Sequence, residues 1–233
     1  MAADSLTAGF LVFPDLTQLD LTGPYEVLSR APGLRVVLVG TRPGPIRSEW
    51  GLLLGTDCTL DEAPELDLLC IPGGVGVNTL LPNDSVLDFV ARRGARASWV
   101  TSVCTGALVL GAAGLLRGYR ATTHWLSMDL LAELGAIPVE GRVVRDRNRI
   151  TGGGITAGID FGLALVAELR GREVAERIQL MTEYAPQPPF AAGSPGQAPV
   201  GLVQTVRQDR ARVQEERRAR IRDAVRRRAS RPE

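Results

Sequence analysis

A cysteine with a small residue two positions to either side stands at Ser102-Val103-Cys104-Thr105-Gly106. The β-type run Trp99-Val100-Thr101 leads into it, and residues 105–116, rich in Ala, Leu and Gly, read as a buried helix behind it. A strand that turns directly into a helix crowds its corner residue, and small neighbours relieve the crowding. This is the nucleophile-elbow arrangement, with a thiol in place of the hydroxyl and Ser102 in place of the first glycine. A sulfur at a helix N-terminus meets free backbone N–H groups and the positive end of the helix dipole, which favour the thiolate. Cys104 is therefore expected to be a nucleophile. The competing expectation is a small hydrophobe in a strand-to-helix crossover.

Two further groups have the chemistry to assist it. Asp20 lies just beyond a buried run at residues 8–14, in the loop or first turn after a strand's carboxyl end, where ligands bind in open α/β sheets. It is suited to acid–base work, although aspartate also serves as a helix cap. The second group is Gly73-Gly74-Val75-Gly76-Val77-Asn78, which follows the buried run at residues 67–72. It lacks the third glycine of a dinucleotide fingerprint, so no such cofactor is expected. Paired glycines can instead turn a backbone N–H toward developing negative charge, and the N–H groups of Gly74 and Thr105 are the candidates.

Around these residues the chain alternates short apolar runs with helical stretches. Strands are expected at residues 8–14, 35–40, 67–72 and 99–103, with a hairpin or two short strands within 46–60 and another hairpin turning at Arg147-Asn148. Helices are expected at 85–96, 105–116, 126–134, 157–169, where Thr156 can act as cap, and 173–184. The order implies an α/β sandwich with a mostly parallel sheet. Five prolines in residues 186–199 rule out a regular element and suggest a wrapping arm.

Composition sets the class. The 233 residues are 45% hydrophobic and 23% charged, ordinary for a soluble globular protein. No apolar run has membrane-spanning length and no signal-like segment opens the chain, so a cytoplasmic protein without membrane attachment is expected. Cys58, Cys70 and Cys104 fit neither a disulfide framework nor a metal motif, and Cys70 reads as core. With one histidine, His124, no metal site can be assembled, and no cofactor is called for. Trp50, Trp99 and Trp125 read as core. A net charge of +1 gives no pull toward nucleic acid, though eleven of the 27 arginines fall within residues 207–231. That run reads as a helical arm with a solvated face and internal ion pairs.

Taken together, Gln18-Leu19-Asp20-Leu21-Thr22-Gly23-Pro24, Ile71-Pro72-Gly73-Gly74-Val75-Gly76, Thr101-Ser102-Val103-Cys104-Thr105-Gly106-Ala107, Ala121-Thr122-Thr123-His124-Trp125 and Thr151-Gly152-Gly153-Gly154-Ile155-Thr156-Ala157-Gly158-Ile159-Asp160 resemble the DJ-1/PfpI superfamily. Within it they are most similar to the isonitrile (isocyanide) hydratases. The resemblance runs from about residue 8 to about residue 200. It implies a flavodoxin-like three-layer sandwich over residues 1–200, including the arm, with residues 201–233 as an Arg-rich helical extension. It also implies a homodimer, a reactive Cys104 with Asp20 as its acidic partner, and Gly153 and Ile155 in a loop against the sulfur.

The implied reaction is hydration of a small isonitrile to a formamide. Cys104 adds to the terminal carbon, Asp20 gives a proton, and Asp20 then helps water attack the thioimidate. Gly73, Gly74 and Thr105 would bind the reacting group. Burial beside an apolar pocket would raise the Asp20 pKa enough for it to act as an acid. Protease-type members carry histidine directly after the cysteine, where this chain has Thr105, so peptidase activity is not expected and His124 reads as structural. Several motifs are shared with the ligand-binding domains of AraC-type regulators, which gives a sensor module as an alternative. The thirty or so residues after Val200 leave little room for a DNA-binding half. A cysteine-based stress protein, oxidised at the thiol, is the third reading.

Overall fold

The protein, studied as a computed structural model, is described over residues 5–230. In chain order its elements are β1 (Leu6–Val12), α1 (Gln18–Leu28), β2 (Leu34–Gly40), β3 (Ile46–Arg47), β4 (Leu53–Leu54), β5 (Cys58–Thr59), β6 (Leu68–Ile71), α2 (Val77–Leu80), α3 (Asp84–Arg96), β7 (Trp99–Val103) and α4 (Gly106–Ala112). Then come β8 (Arg120–Ala121), a 3-10 turn (Trp125–Ser127), α5 (Met128–Glu133), β9 (Ile137–Pro138), β10 (Val143–Asp146), β11 (Arg149–Gly152), α6 (Ala157–Arg170), α7 (Arg172–Met181) and α8 (Val200–Ala229).

Seven strands form the central sheet in the order β10-β11-β7-β6-β1-β2-β5. All neighbours are parallel except β10, which runs antiparallel to β11. Continuous apolar runs such as Phe10-Leu11-Val12 and Leu68-Leu69-Cys70-Ile71 are wholly buried. A parallel strand covered by helices on both faces needs no polar side, which is why these runs do not alternate. α1 packs against α6, and α3 against α4. The result is a three-layer α/β fold. Because β11, β7, β6 and β1 are consecutive neighbours, the loops leaving their carboxyl ends meet along one sheet edge. Those loops carry Gly153, Cys104 and Gly73, and the loop leaving β1 leads into α1, whose first turn holds Asp20.

Several expectations are corrected. The helix after Cys104 ends at Ala112 rather than 116, because Gly114 takes φ 83° and closes it. The Leu115 N–H reaches Leu110 O and the Gly114 N–H reaches Gly111 O, both at 2.9 Å, a Schellman ending. Thr156 stands at the N-terminus of α6 but makes no side-chain cap, its hydroxyl accepting instead from Arg142 Nη2 at 3.3 Å. Trp50 is 81% exposed in the turn joining β3 to β4, so it is not core. The C-terminal arginines lie on a long helix with a largely exposed face and internal pairs Arg220–Glu216 and Arg227–Asp223, as expected, but not on a free arm. α8 does not stand free: it packs on α2, α4, α5 and the 3-10 turn. Arg217, Ile221 and Ala224, on one helical face, are buried. Arg218 pairs with Asp129 and Glu133, Arg222 with Glu133 at 3.0 Å, and Arg228 with Asp88 at 3.0 Å. No helix among the described residues is long and apolar enough to cross a membrane.

Candidate functional site

Cys104 occupies the corner between β7 and α4 with φ 55°, in the left-handed region. An L-residue there carries a cost of about 1 kcal/mol or more. Two hydrogen bonds hold it: its N–H donates to Gly152 O at 3.0 Å, and its carbonyl accepts from Thr123 Oγ1 at 2.7 Å. Gly106 is required by close approach, since a Cβ there would lie 1.9 Å from Ile71 O. Ser102 is fully buried, small enough for the corner, and its hydroxyl has no partner among the described residues.

Asp20, in the first turn of α1, is fully buried. Its Oδ2 accepts the Gly73 N–H at 2.9 Å, and Gly73 O accepts the Thr17 N–H at 2.9 Å, so the loops after β1 and β6 hook into each other. A side chain at Gly73 would meet Thr105 N at 2.5 Å and Asp20 Oδ2 at 2.8 Å. Asp20 Oδ1 is buried without a fully formed hydrogen bond, while the carboxyl and the Cys104 thiol lie close enough to perturb each other's protonation. Burial pushes the Asp20 pKa up from 3.8 to about 7, with the Glu49 charge adding; the Gly73 N–H and the thiol oppose the rise.

The thiol itself departs from the sequence expectation. Burial and the Asp20 charge push Cys104 well above the ordinary thiol range, against the opposing pull of the Thr105 N–H and Arg217. The seven-residue α4 supplies too little dipole to outweigh desolvation of a residue only 5% exposed. The resting sulfur is thus a neutral thiol. Together the two groups hold one proton strongly, and their titration belongs to the pair.

The other expected site residues divide. The Thr105 N–H acts on the sulfur, pulling its pKa down. The Gly73 N–H is not free, being held by Asp20, and the Gly74 N–H donates to Thr105 Oγ1 at 3.0 Å. Both amides build the site rather than face an oxyanion. Gly153 donates its N–H to Arg142 O at 2.9 Å, and Ile155 is 37% exposed, its carbonyl accepting from Gly158 N–H at 3.3 Å. The hydrogen bonds of neither residue reach Cys104; that of Gly152 does. His124 accepts the Leu126 N–H at Nδ1 (3.3 Å), and burial beside Arg217 and Arg210 lowers its pKa to about 4, so it is a neutral structural ring. Cys70 is buried core, with its pKa pushed to about 12, and Cys58 lies on edge strand β5. Among the described residues no cluster of three His, Cys, Asp or Glu side chains could hold a metal ion.

Two residues of the site escape sequence reading. Thr123 anchors the corner from nineteen residues away. Arg217, 3% exposed, donates from Nε to Asn78 Oδ1 (2.8 Å), from Nη1 to Ser127 Oγ (3.2 Å) and from Nη2 to Gly74 O (3.2 Å).

The chain is similar to several known proteins. The model of the DJ-1/PfpI family matches residues 7–168. An isonitrile hydratase of Pseudomonas putida is 55% identical over 203 residues, covering 87% of this chain and 89% of that protein. The HTH-type transcriptional regulator GbdR of Pseudomonas aeruginosa is 34% identical over 188 residues, 76% of this chain but 50% of the regulator. Among solved structures, a ThiJ/PfpI family protein from Pseudomonas syringae has TM-score 0.92 and 44% identity, covering 94% of this chain and 92% of that one. DJ-1beta of Drosophila melanogaster shares the fold, with TM-score 0.71 and 23% identity over 78% of this chain and 100% of that chain.

Proposed function

The chain belongs to the DJ-1/PfpI family, and we propose that it is an isonitrile hydratase, adding water to R–N≡C to give the N-substituted formamide. The observation that carries this reading is the buried pair itself: Cys104 on its left-handed strand-to-helix corner and the Asp20 carboxyl held at the same sheet edge by the Gly73 N–H at 2.9 Å. The likeness to the Pseudomonas putida enzyme supplies the substrate class.

The pair starts with one proton. Transfer of that proton from Sγ to the Asp20 carboxylate gives a thiolate beside a carboxylic acid, and the Thr105 N–H stabilises the sulfur charge. The thiolate attacks the terminal carbon, forming the C–S bond and leaving an electron pair on that carbon. Asp20 protonates the carbon, giving the thioimidate R–N=CH–S–Cys104. Asp20, again a carboxylate, takes a proton from water as the water oxygen adds to the same carbon, and returns it to nitrogen. The intermediate R–NH–CH(OH)–S–Cys104 collapses, the C–S bond breaks, and the hydroxyl proton returns to sulfur as R–NH–CHO leaves. A terminal isonitrile is a linear two-atom rod, a shape suited to a sulfur with so little exposure.

The reading includes a cytoplasmic homodimer without nucleic-acid or membrane partners. Exposed Trp50, Leu52 and Leu53 on the β3–β4 hairpin and Phe190 on the arm are apolar surface that a second copy would cover. Light scattering should give twice the 25.0 kDa of one chain. We retain one α/β domain over residues 1–200, including the Pro-rich arm, with residues 201–233 as an Arg-rich helical extension. Incubation with cyclohexyl isonitrile tests the activity. The wild-type protein should form N-cyclohexylformamide, and Cys104→Ala and Asp20→Asn should each lose at least about a hundredfold in rate. No formamide from the wild-type chain would leave the sensor or stress-protein reading.

A further inference from the structure

We propose that Arg217, delivered by α8, is a positioning residue that fixes the Gly73-Gly74 loop against Asp20 and supplies the fixed positive charge against which the Cys104 thiolate forms. The proposal deepens the isonitrile hydratase reading and rests on its assignment of Cys104 as nucleophile.

The guanidinium is buried with neutral partners. Asn78 Oδ1, Ser127 Oγ and Gly74 O accept from three of its N–H groups, and among the described residues no carboxylate lies within ion-pair distance. Its neighbours on the same helix behave differently: Arg218, Arg222, Arg227 and Arg228 each pair with an acidic side chain. Burying an unpaired cation is costly, and a residue needed only to dock α8 would be served better by an aliphatic side chain. Arg217 also lies outside residues 7–168, which the family model matches.

Its hydrogen bonds lead to the reacting groups. Arg217 Nη2 and Thr105 Oγ1 both donate to Gly74 O, at 3.2 and 3.3 Å, while the Gly74 N–H donates to Thr105 Oγ1 at 3.0 Å. Gly74 has φ 130°, a conformation natural to glycine, and the clamp on its carbonyl fixes the peptide in that state. One residue earlier, the Gly73 N–H holds Asp20 Oδ2 at 2.9 Å. One residue before Thr105 is Cys104. Arg217 therefore reaches both members of the pair through a single loop.

The charges around the sulfur come from several elements. Asp20 on α1 opposes ionisation of Cys104, and Arg217 on α8 favours it. Glu49, beyond β3, acts on Asp20 and on Arg217, holds the Thr17 hydroxyl at 3.0 Å and faces Arg210 at 3.9 Å. Arg210 and Glu216, on α8, also act on Arg217. His124 beside them is neutral. Among the described residues, Arg217 is a cation whose charge favours the Cys104 thiolate.

Alkylation of Cys104 by iodoacetamide, followed by peptide mass mapping with Cys104→Ala as blank, tests this in the full chain. At one fixed pH below the thiol's titration, the rate follows the thiolate fraction. Arg217→Gln, which removes the charge, should slow alkylation about tenfold, the effect of a one-unit rise in thiol pKa. Arg217→Lys, which keeps the charge, should stay within about threefold of wild type. In formamide assays Arg217→Gln should lower kcat and leave KM within about twofold. A side chain that only docked α8 would, when replaced, loosen the site and speed alkylation. Faster or unchanged alkylation in Arg217→Gln overturns the proposal. If that variant does not fold, Asn78→Asp sets a carboxylate against Nε and should slow alkylation likewise; an unchanged rate there is equally fatal. The alkylation readout involves no isonitrile, so absence of formamide from wild type would sink the activity reading while this contrast still decides the role of Arg217.

Discussion

Replacing Asp20 by asparagine removes the site's acid while keeping its shape and its acceptor for the Gly73 N–H. An acid with an ordinary pKa of 3.8 that titrates at about 7 in the fold is protonated in the native state and ionised in the unfolded chain between those values. Ionisation then favours the unfolded chain. The stability cost is absent below about pH 3.8, grows by about 1.4 kcal/mol per pH unit, and levels off near roughly 4 kcal/mol above pH 7. Between about pH 5 and pH 8 it should increase by roughly 2–3 kcal/mol. The amide of the Asp20→Asn variant does not titrate and escapes this cost. Urea unfolding of both proteins at the two pH values should show the variant gaining stability relative to wild type by that increment. Its formamide turnover should fall by about 10²–10⁴. A stability difference that does not change with pH would mean that Asp20 ionises normally in the fold, and the shared-proton chemistry would have no basis.

Other expectations follow from the same contacts. Thr123→Val removes the 2.7 Å bond to Cys104 O and should cost about 1–3 kcal/mol in thermal or urea unfolding, with turnover lowered about tenfold by loss of the corner geometry. Gly106→Ala meets Ile71 O at 1.9 Å and should destabilise by about 3 kcal/mol or more. Gly114→Ala, strained only by its φ of 83° with open space around it, should cost about 1 kcal/mol; equal costs would refute the distinction. The pH profile of kcat/KM should rise through an acidic limb near pH 7, where Asp20 loses its proton and the pair becomes singly protonated. Glu49→Gln removes a charge that raises the Asp20 pKa, so that limb should move to lower pH.

What could be read from the sequence was local. Ser102 and Gly106 mark the corner because crowding at a strand-to-helix turn acts between residues two apart. The sequence points to Asp20 from its place after the first buried strand, since parallel topology puts the carboxyl end of that strand at the ligand edge. The Gly73-Gly74 loop was found, but not the fate of its amides: which acceptor takes an N–H depends on loops 31 and 53 positions away. The protonation of Cys104 is hidden from the sequence for the same reason. Helix dipoles are local, whereas the burial that outweighs them is a property of the packed molecule. Arg217 had no local signal at all. It is one of eleven arginines in a polar stretch, distinguished by acceptors 90 to 143 residues earlier: Ser127 Oγ, Asn78 Oδ1 and the Gly74 carbonyl. The buried face of α8 carries that charge beside Ile221 and Ala224, so apolar periodicity could not reveal it.

Covalent attachment of substrate to one sulfur is the step on which the chemistry depends, and acid-quenched intact-mass spectrometry during turnover of an alkyl isonitrile measures it directly. A species heavier than the protein by the mass of one isonitrile, mapped to Cys104, formed by the wild-type chain and absent from Cys104→Ala, is the predicted result. No such species in the wild-type chain, with Cys104→Ala forming formamide at the wild-type rate, would contradict it.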